Sequence, residues 1–171
     1  MKLVLLIFCG VIALVLVVLI IGMFLKRKHV ASREIVLRAA PSEVYAALRD
    51  FASAPKWRPD LKNVEMLGEV DGYTRFREDS KQGRITYEVM EDIPPTRLVT
   101  RIVDRDLGYF GAWTYQLSSA EQGTRVRITE EGEVPNVLFR FVSRFVFGHT
   151  ATMDAYLRAL GHKFGESVTP M

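Results

Sequence analysis

Between Leu3 and Leu25 the chain runs LVLLIFCGVIALVLVVLIIGMFL without one charged residue, and Lys26, Arg27 and Lys28 follow at once. At about 1.5 Å of rise per residue, a helix of this length covers the ~30 Å hydrocarbon core of a bilayer. A lone segment in lipid satisfies its backbone polar groups only as a helix. The run exceeds the ~7–15 residues of a signal-peptide core and ends in a basic cluster instead of a small-residue cleavage site. An uncleaved anchor over residues 1–28, basic flank included, is therefore expected. Lys26, Arg27 and Lys28, with Arg33 close behind, outweigh Lys2 and the terminal amine. That bias orients a single-pass membrane protein with its C-terminal domain in the cytoplasm. Cys9, the one cysteine, lies inside the run, so no intrachain disulfide forms, in keeping with a reducing compartment.

The anchor also changes the meaning of the net charge. Four of the 23 basic residues (Lys2, Lys26, Arg27 and Lys28) precede residue 31, whereas the first of the 20 acids is Glu34. The remainder holds 19 basic and 20 acidic residues, so the chain's net +3 is a property of the membrane flank. Nucleic-acid binding calls for a basic face, and this balance supplies none. The bilayer is the expected partner, with the Lys/Arg cluster against anionic headgroups. A short tether at 29–32 leads into one domain at 33–165, about the size for a single core, and 166–171 is a tail.

Glu34–Ala39 alternates as a strand, with Ile35 and Leu37 on one side. Pro41 suits a first helical position, and Val44, Ala47, Leu48 and Phe51 recur at helical spacing up to about Asp50. Two prolines bracket Ala54–Pro59, a loop or broken second helix. Strands are then expected at Leu61–Gly68, Tyr73–Asp79, Arg84–Glu91, Arg97–Asp104, Tyr109–Ser118 and Thr124–Glu133. The turns between them are marked by Asp71-Gly72, Gln82-Gly83, Pro94-Pro95 and Gln122-Gly123. From Pro135 to about Gly165 the chain is expected to be one long helix, bent at Gly148, with stripes of Leu138, Phe141, Val142 and Phe145 and of Met153, Tyr156, Leu157, Leu160 and Phe164. Helices segregated from an antiparallel meander mean an α+β fold.

Several segments in combination carry a family resemblance. They are Ala40-Pro41-Ser42-Glu43-Val44-Tyr45 after the first strand, Trp57-Arg58-Pro59, Tyr87-Glu88-Val89 leading to Pro94-Pro95-Thr96-Arg97-Leu98, Trp113-Thr114-Tyr115-Gln116-Leu117, Gly123-Thr124-Arg125-Val126, and Tyr156-Leu157 with Leu160. Over residues 31–165 the chain resembles the polyketide cyclase/dehydrase and lipid-transport superfamily, the START-like helix-grip fold. The N-terminal anchor departs from many of its members. The resemblance implies a curved antiparallel sheet gripping a long C-terminal helix, with an apolar cavity between them for lipids, isoprenoids, polyketides or similar molecules. Fold does not fix function, so the pocket is implied more strongly than any reaction.

Strand parity independently offers candidates. Trp113, Tyr115 and Leu117 share a face, as do Ile85, Tyr87 and Val89. Tyr87, Trp113 and Tyr115 join apolar bodies to polar tips, which suits either a filled core or an apolar pocket with a few hydrogen bonds. Trp57 would line or cap that pocket, and Phe139, Phe145 and Phe147 would guard its mouth. For Phe139 and Phe147 two placements are open: a flap dipping toward lipid, or packing beneath the strand loops. Glu130 shares parity with Val126 and Ile128. Facing inward it would be a general acid or base; at an exposed strand end it would be solvated. Arg101 is a possible partner for it, although Leu98 and Ile102 make that strand's alternation ambiguous.

His29 belongs to the basic flank, and His149 and His162 fall on different faces of the last helix. No His/Cys/carboxylate set has metal-ligand spacing, and no G-x-S-x-G, Walker or dinucleotide motif occurs, so neither metal nor cofactor is implied. The expected function is membrane-anchored binding of a hydrophobic small molecule. The rivals are a cyclase or dehydratase using the same cavity, favoured by a buried Glu130, and a non-catalytic membrane adaptor, favoured by a filled interior.

Overall fold

The computed structural model describes residues 2–171 except 82, 143, 146, 147 and 149. The order of elements is α1 (Lys2–Phe24), β1 (Lys28–Leu37), α2 (Pro41–Arg49), a 3₁₀ turn (Phe51–Lys56), β2 (Leu61–Val70), β3 (Tyr73–Ser80), β4 (Gly83–Ile93), β5 (Arg97–Ile102), β6 (Phe110–Ala120), β7 (Gly123–Glu133), α3 (Val137–Val142) and α4 (Ala151–Lys163). The strands form one sheet in the order β1-β7-β6-β5-β4-β3-β2, antiparallel throughout. Register shifts at Leu61/Asn63, Met66/Gly68 and Val89/Glu91 insert extra residues on the β2–β4 side. Such bulges sharpen the local bend and twist. The sheet curves, and α4 lies in its concave side: the helix-grip, α+β arrangement.

Local chemistry explains the element ends. Asp71 and Gly72 have φ of 54° and 81°, the left-handed pair that a two-residue hairpin needs to match strand twist. Pro41 opens α2, and the Glu43 carboxylate accepts from the Ala40 backbone N–H at 3.0 Å. Val44, Tyr45, Ala47 and Leu48 turn inward from that helix. On α4, Met153, Leu157 and Leu160 are fully buried against Ile35, Leu37, Val126 and Ile128 in one core.

Two expectations change. Residues 29–32 are not a tether: β1 starts at Lys28 and pairs with β7 from its first residue, Lys28 opposite Glu133. The cause is alternation that continues upstream of Ile35, with His29 and Ala31 less exposed than the residues on either side of them. The single long C-terminal helix is also corrected. It consists of α3 and α4 as separate helices, with Gly148 between them in the left-handed region at φ 70°. The first half presents Leu138 and Phe145 to the outside, and Arg140 is buried in their stead. The reason is that α3 packs against the end of α1. His149 and Phe147 lie outside the described residues.

α1 is long and apolar enough to cross a membrane by length and composition, and none of its apolar window is buried against the domain. The core rests on α4, so Leu157→Ala should cost about 2–5 kcal/mol. Urea unfolding of the full chain in detergent, followed by near-ultraviolet circular dichroism, measures it.

Candidate functional site

The concave face is wider than α4 can cover, and a cavity of about 750 Å³ remains between them. Its inner end is formed by Leu48, Phe51, Ala54 and Phe76, all buried; its outer end by Phe110, Gly148, Ala151 and Thr152, all exposed. Strand alternation aims the lining residues inward: Ile85 and Tyr87 on β4, Thr100 and Ile102 on β5, Trp113 and Tyr115 on β6, and Glu130 on β7.

Tyr156 of α4 is the hub of the aromatic wall. Its ring lies 5.4 Å from Trp57, 5.7 Å from Trp113 and 5.7 Å from Tyr115, centroid to centroid. Beyond them Tyr87 stacks on Phe76 at 5.3 Å, and Phe76 on Phe51 at 3.9 Å. Edge and offset contacts of this kind hold ring positions firmly.

Two polar clusters interrupt the apolar wall. In the first, Arg58 bonds Glu78 at 2.6 Å and Asp60 at 2.8 Å, and its guanidinium lies 4.9 Å above the Tyr156 ring. Arg58 and Glu78 are each only about a tenth exposed, at 11% and 13%. Burial opposes the charge on Arg58 more than any one neighbour favours it, but Glu78, Tyr156 and Asp60 together outweigh burial and hold the guanidinium protonated. Burial pushes the Glu78 carboxyl up, and Arg58 partly offsets that push. Burial raises the Tyr156 phenol to about 12 and also moves Tyr87 and Tyr115 upward. All three therefore stay neutral hydrogen-bonding groups at physiological pH.

The second cluster is centred on Glu130. The Trp113 indole Nε1 donates to Glu130 Oε2 at 2.9 Å, and His29 Nε2 lies 3.1 Å from Oε1. Register explains the meeting, since Glu130 is opposite Trp113 on β6 and Ala31 on β1. Gly132 makes room for the imidazole: a Cβ there would sit 2.2 Å from His29 Cε1.

Of the residues singled out by sequence, Trp57, Tyr87, Trp113, Tyr115, Phe139 and Glu130 all line this one cavity. Phe139 stacks on Tyr109 at 5.7 Å near its outer end. Phe145 does not join them; it is 60% exposed and touches Phe141 instead. Glu130 is not a solvated strand end, because its side chain is 22% exposed and doubly bonded. Nor is it the partner of Arg101, which bonds the buried Glu88 together with Arg75. The reason is that Thr100 and Ile102 take the cavity side of β5, leaving Arg101 on the opposite face.

Four residues escaped the sequence reading of the site: His29, Arg58, Glu78 and Tyr156. Parity carried a signal for two of them. His29 is in phase with Ile35 and Leu37, and Glu78 is in phase with the buried Phe76. Tyr156 sits on the apolar stripe of α4 and is its one member with a hydroxyl. Among the described residues no group of three His, Cys, Asp or Glu side chains could hold a metal ion.

A family model described as polyketide cyclase / dehydrase and lipid transport matches residues 28–163. No curated protein matches the chain. Among solved structures, a START superfamily protein from Mycobacterium smegmatis is 17% identical with a TM-score of 0.64, covering 80% of this chain and 97% of that one. The Zhui aromatase/cyclase from Streptomyces sp. R1128 is 14% identical with a TM-score of 0.63, covering 81% and 94%. The di-domain ARO/CYC StfQ from the steffimycin biosynthetic pathway is 13% identical with a TM-score of 0.64; the match covers 78% of this chain and spans about half, 49%, of that protein. At these identities the likeness is one of fold.

Neutral buried tyrosines have a measurable consequence. A phenol raised from 10.0 to about 12 by folding contributes stability that is fully present below the unfolded value and is lost as pH climbs through the folded one. The folded domain should therefore lose stability between pH 10 and 12, and Tyr156→Phe should flatten that fall. Urea midpoints measured across the range check the sign.

Proposed function

The chain belongs to the polyketide cyclase / dehydrase and lipid transport family, and from that premise we propose that it binds one hydrophobic small molecule in the cavity while anchored to a membrane by α1. The observation that carries this reading is the open, aromatic-lined space of about 750 Å³ between sheet and α4. It falls in the range of ~300–1,000 Å³ of ligand sites, with a mostly apolar wall and few polar groups. The Arg58–Glu78 and His29–Glu130 clusters favour a molecule carrying oxygen functions on an apolar body, such as a lipid, an isoprenoid or a polyketide-like compound. The long apolar run of α1 supports anchoring, and its Lys26–Lys28 flank supports a cytoplasmic domain. A ligand of this kind partitions into bilayers, so a pocket held at the surface acquires it across little water.

A second reading has its own support. A carboxylate bonded by a histidine inside a roomy cavity is equipped to take and return a proton. The Glu130–His29 pair thus favours a cyclase or dehydratase, with Glu130 as the proton-transfer group and His29 orienting it. An open cavity does not favour the adaptor.

Both tryptophans of the chain line the cavity, so intrinsic fluorescence reports its occupancy. Full-length protein in lipid nanodiscs should show saturable one-to-one quenching by at least one of a brominated fatty acid, a benzoquinone and a polycyclic aromatic ketone. Thr100→Phe, which puts a ring into the cavity, should weaken it at least tenfold. Quenching that never saturates, or that Thr100→Phe leaves unchanged, contradicts a binding cavity. Glu130→Gln, which keeps an acceptor for Trp113, separates carrier from enzyme. A carrier co-purifies with the same molecule in both forms, whereas a dehydratase leaves the variant holding a compound heavier by the elements of water.

A further inference from the structure

Three features at one end of the fold belong together. The first is a clamp between α3 and the last turn of α1. Arg140 is buried at 9% exposure, and its Nη1 donates to the backbone oxygens of Gly22 at 3.1 Å and Leu25 at 2.9 Å, while Nη2 donates to that of Pro135 at 2.9 Å. Gly22 and Leu25 are where a helix leaves its carbonyls without intrahelical partners, and a cation there also complements the helix dipole. Gly22 lets the two helices touch: a Cβ on it would lie 2.4 Å from the Val137 backbone oxygen. Small residues allow such approach between membrane helices. Below the clamp, Val134 N–H donates to Arg27 O at 2.8 Å and Arg27 pairs with Glu133 at 3.2 Å.

The second feature is the direction of the cavity. β1 leaves α1 at Lys28, which is opposite Glu133 on β7, which is in turn opposite Phe110 on β6. Phe110 is one of the exposed residues at the cavity's outer end. The same clamped helix carries Phe139, which lines that end and stacks on Tyr109. The cavity therefore opens on the side of the sheet from which the anchor emerges.

The third feature is what remains uncovered there. Leu138 is 52% exposed, Phe145 60% and Phe24 84%, beside exposed Lys26, Arg27 and Lys28. Apolar side chains next to a row of cations match the boundary of an anionic bilayer, acyl chains below and phosphates above.

We propose that α3 is seated in the lipid boundary, clamped by Arg140 to the end of the anchor, and forms the lip of a cavity mouth that opens onto the bilayer surface. The inference rests on the membrane-anchored reading of α1 and adds where the mouth lies. Phe139 faces the cavity and Leu138 the lipid, so one short helix separates the ligand from the acyl chains.

Nitroxide labels in full-length protein, in phosphatidylcholine/phosphatidylglycerol vesicles, test it. In a Cys9→Ser background, labels are placed at Leu138→Cys, at Val17→Cys in the anchor, and at Glu121→Cys in the β6–β7 turn on the opposite end of the sheet. Collision with oxygen marks lipid, and collision with a water-soluble nickel chelate marks solvent. The expected result is an oxygen-to-nickel ratio at 138 several-fold above that at 121 and on the side of 17. Arg140→Gln, or Gly22→Leu if that variant does not fold, should lower the ratio at 138 and leave 17 unchanged. A label at 138 that behaves like 121 while 17 reads as lipid overturns the lip and spares the anchor. A label at 17 that behaves like 121 overturns both.

Discussion

A single helix has to cover a sheet too broad for it, and the cavity follows from that mismatch. Seven strands at ~4.8 Å spacing give a sheet roughly 29 Å across. The 13 residues of α4 make a rod about 20 Å long and ~10 Å wide. Its stripe of Met153, Leu157 and Leu160 packs on the side of the concave face built from β1 and β7. α2 and the 3₁₀ turn close the inner end with Leu48, Phe51 and Ala54. No element is left for the space over β4, β5 and β6, and rings from Trp57, Trp113, Tyr115 and Tyr156 rim it without filling it.

That space is unlike an ordinary core in its polar content. Holding an ion pair as buried as Arg58–Glu78 costs desolvation that mutual attraction seldom more than balances. Placing Glu130 between His29 and Trp113 adds a second polar cluster where an apolar residue would pack as well. Neither cluster is needed to close the sheet, whose strands are already paired. Their common property is that both border the cavity, and a ligand with oxygen functions gives both a use. The Glu88 cluster with Arg75 and Arg101 contrasts with them: it lies on the other face of the sheet from the cavity, with its carboxylate enclosed by two arginines.

Much of this was legible in the sequence wherever one face of an element is buried and the other is not. The strands, α2 and the α4 stripe follow from period and turn chemistry, and parity alone brought Tyr87, Trp113, Tyr115 and Glu130 to one side. Parity failed where both faces are occupied, as on β5, where Arg101 looked equivalent to its neighbours. It was also cut short by the basic flank. His29 reads as one more cation beside Lys28 until its phase with Ile35 is counted. α3 was the hardest case, because its apolar residues serve two surfaces and its arginine is spent on the carbonyls of a helix more than a hundred residues away. Nothing within a window around Arg140 announces such a partner.

Native mass spectrometry of the full-length protein, released from detergent after purification from its own host, tests the central claim most directly. The account predicts a second peak heavier than the bare chain by one small apolar molecule, bound one to one and released by denaturation. A spectrum of bare chain alone, from protein whose two tryptophans are nonetheless freely quenched by water-soluble acrylamide, would mean a solvent-filled cavity that holds no such ligand.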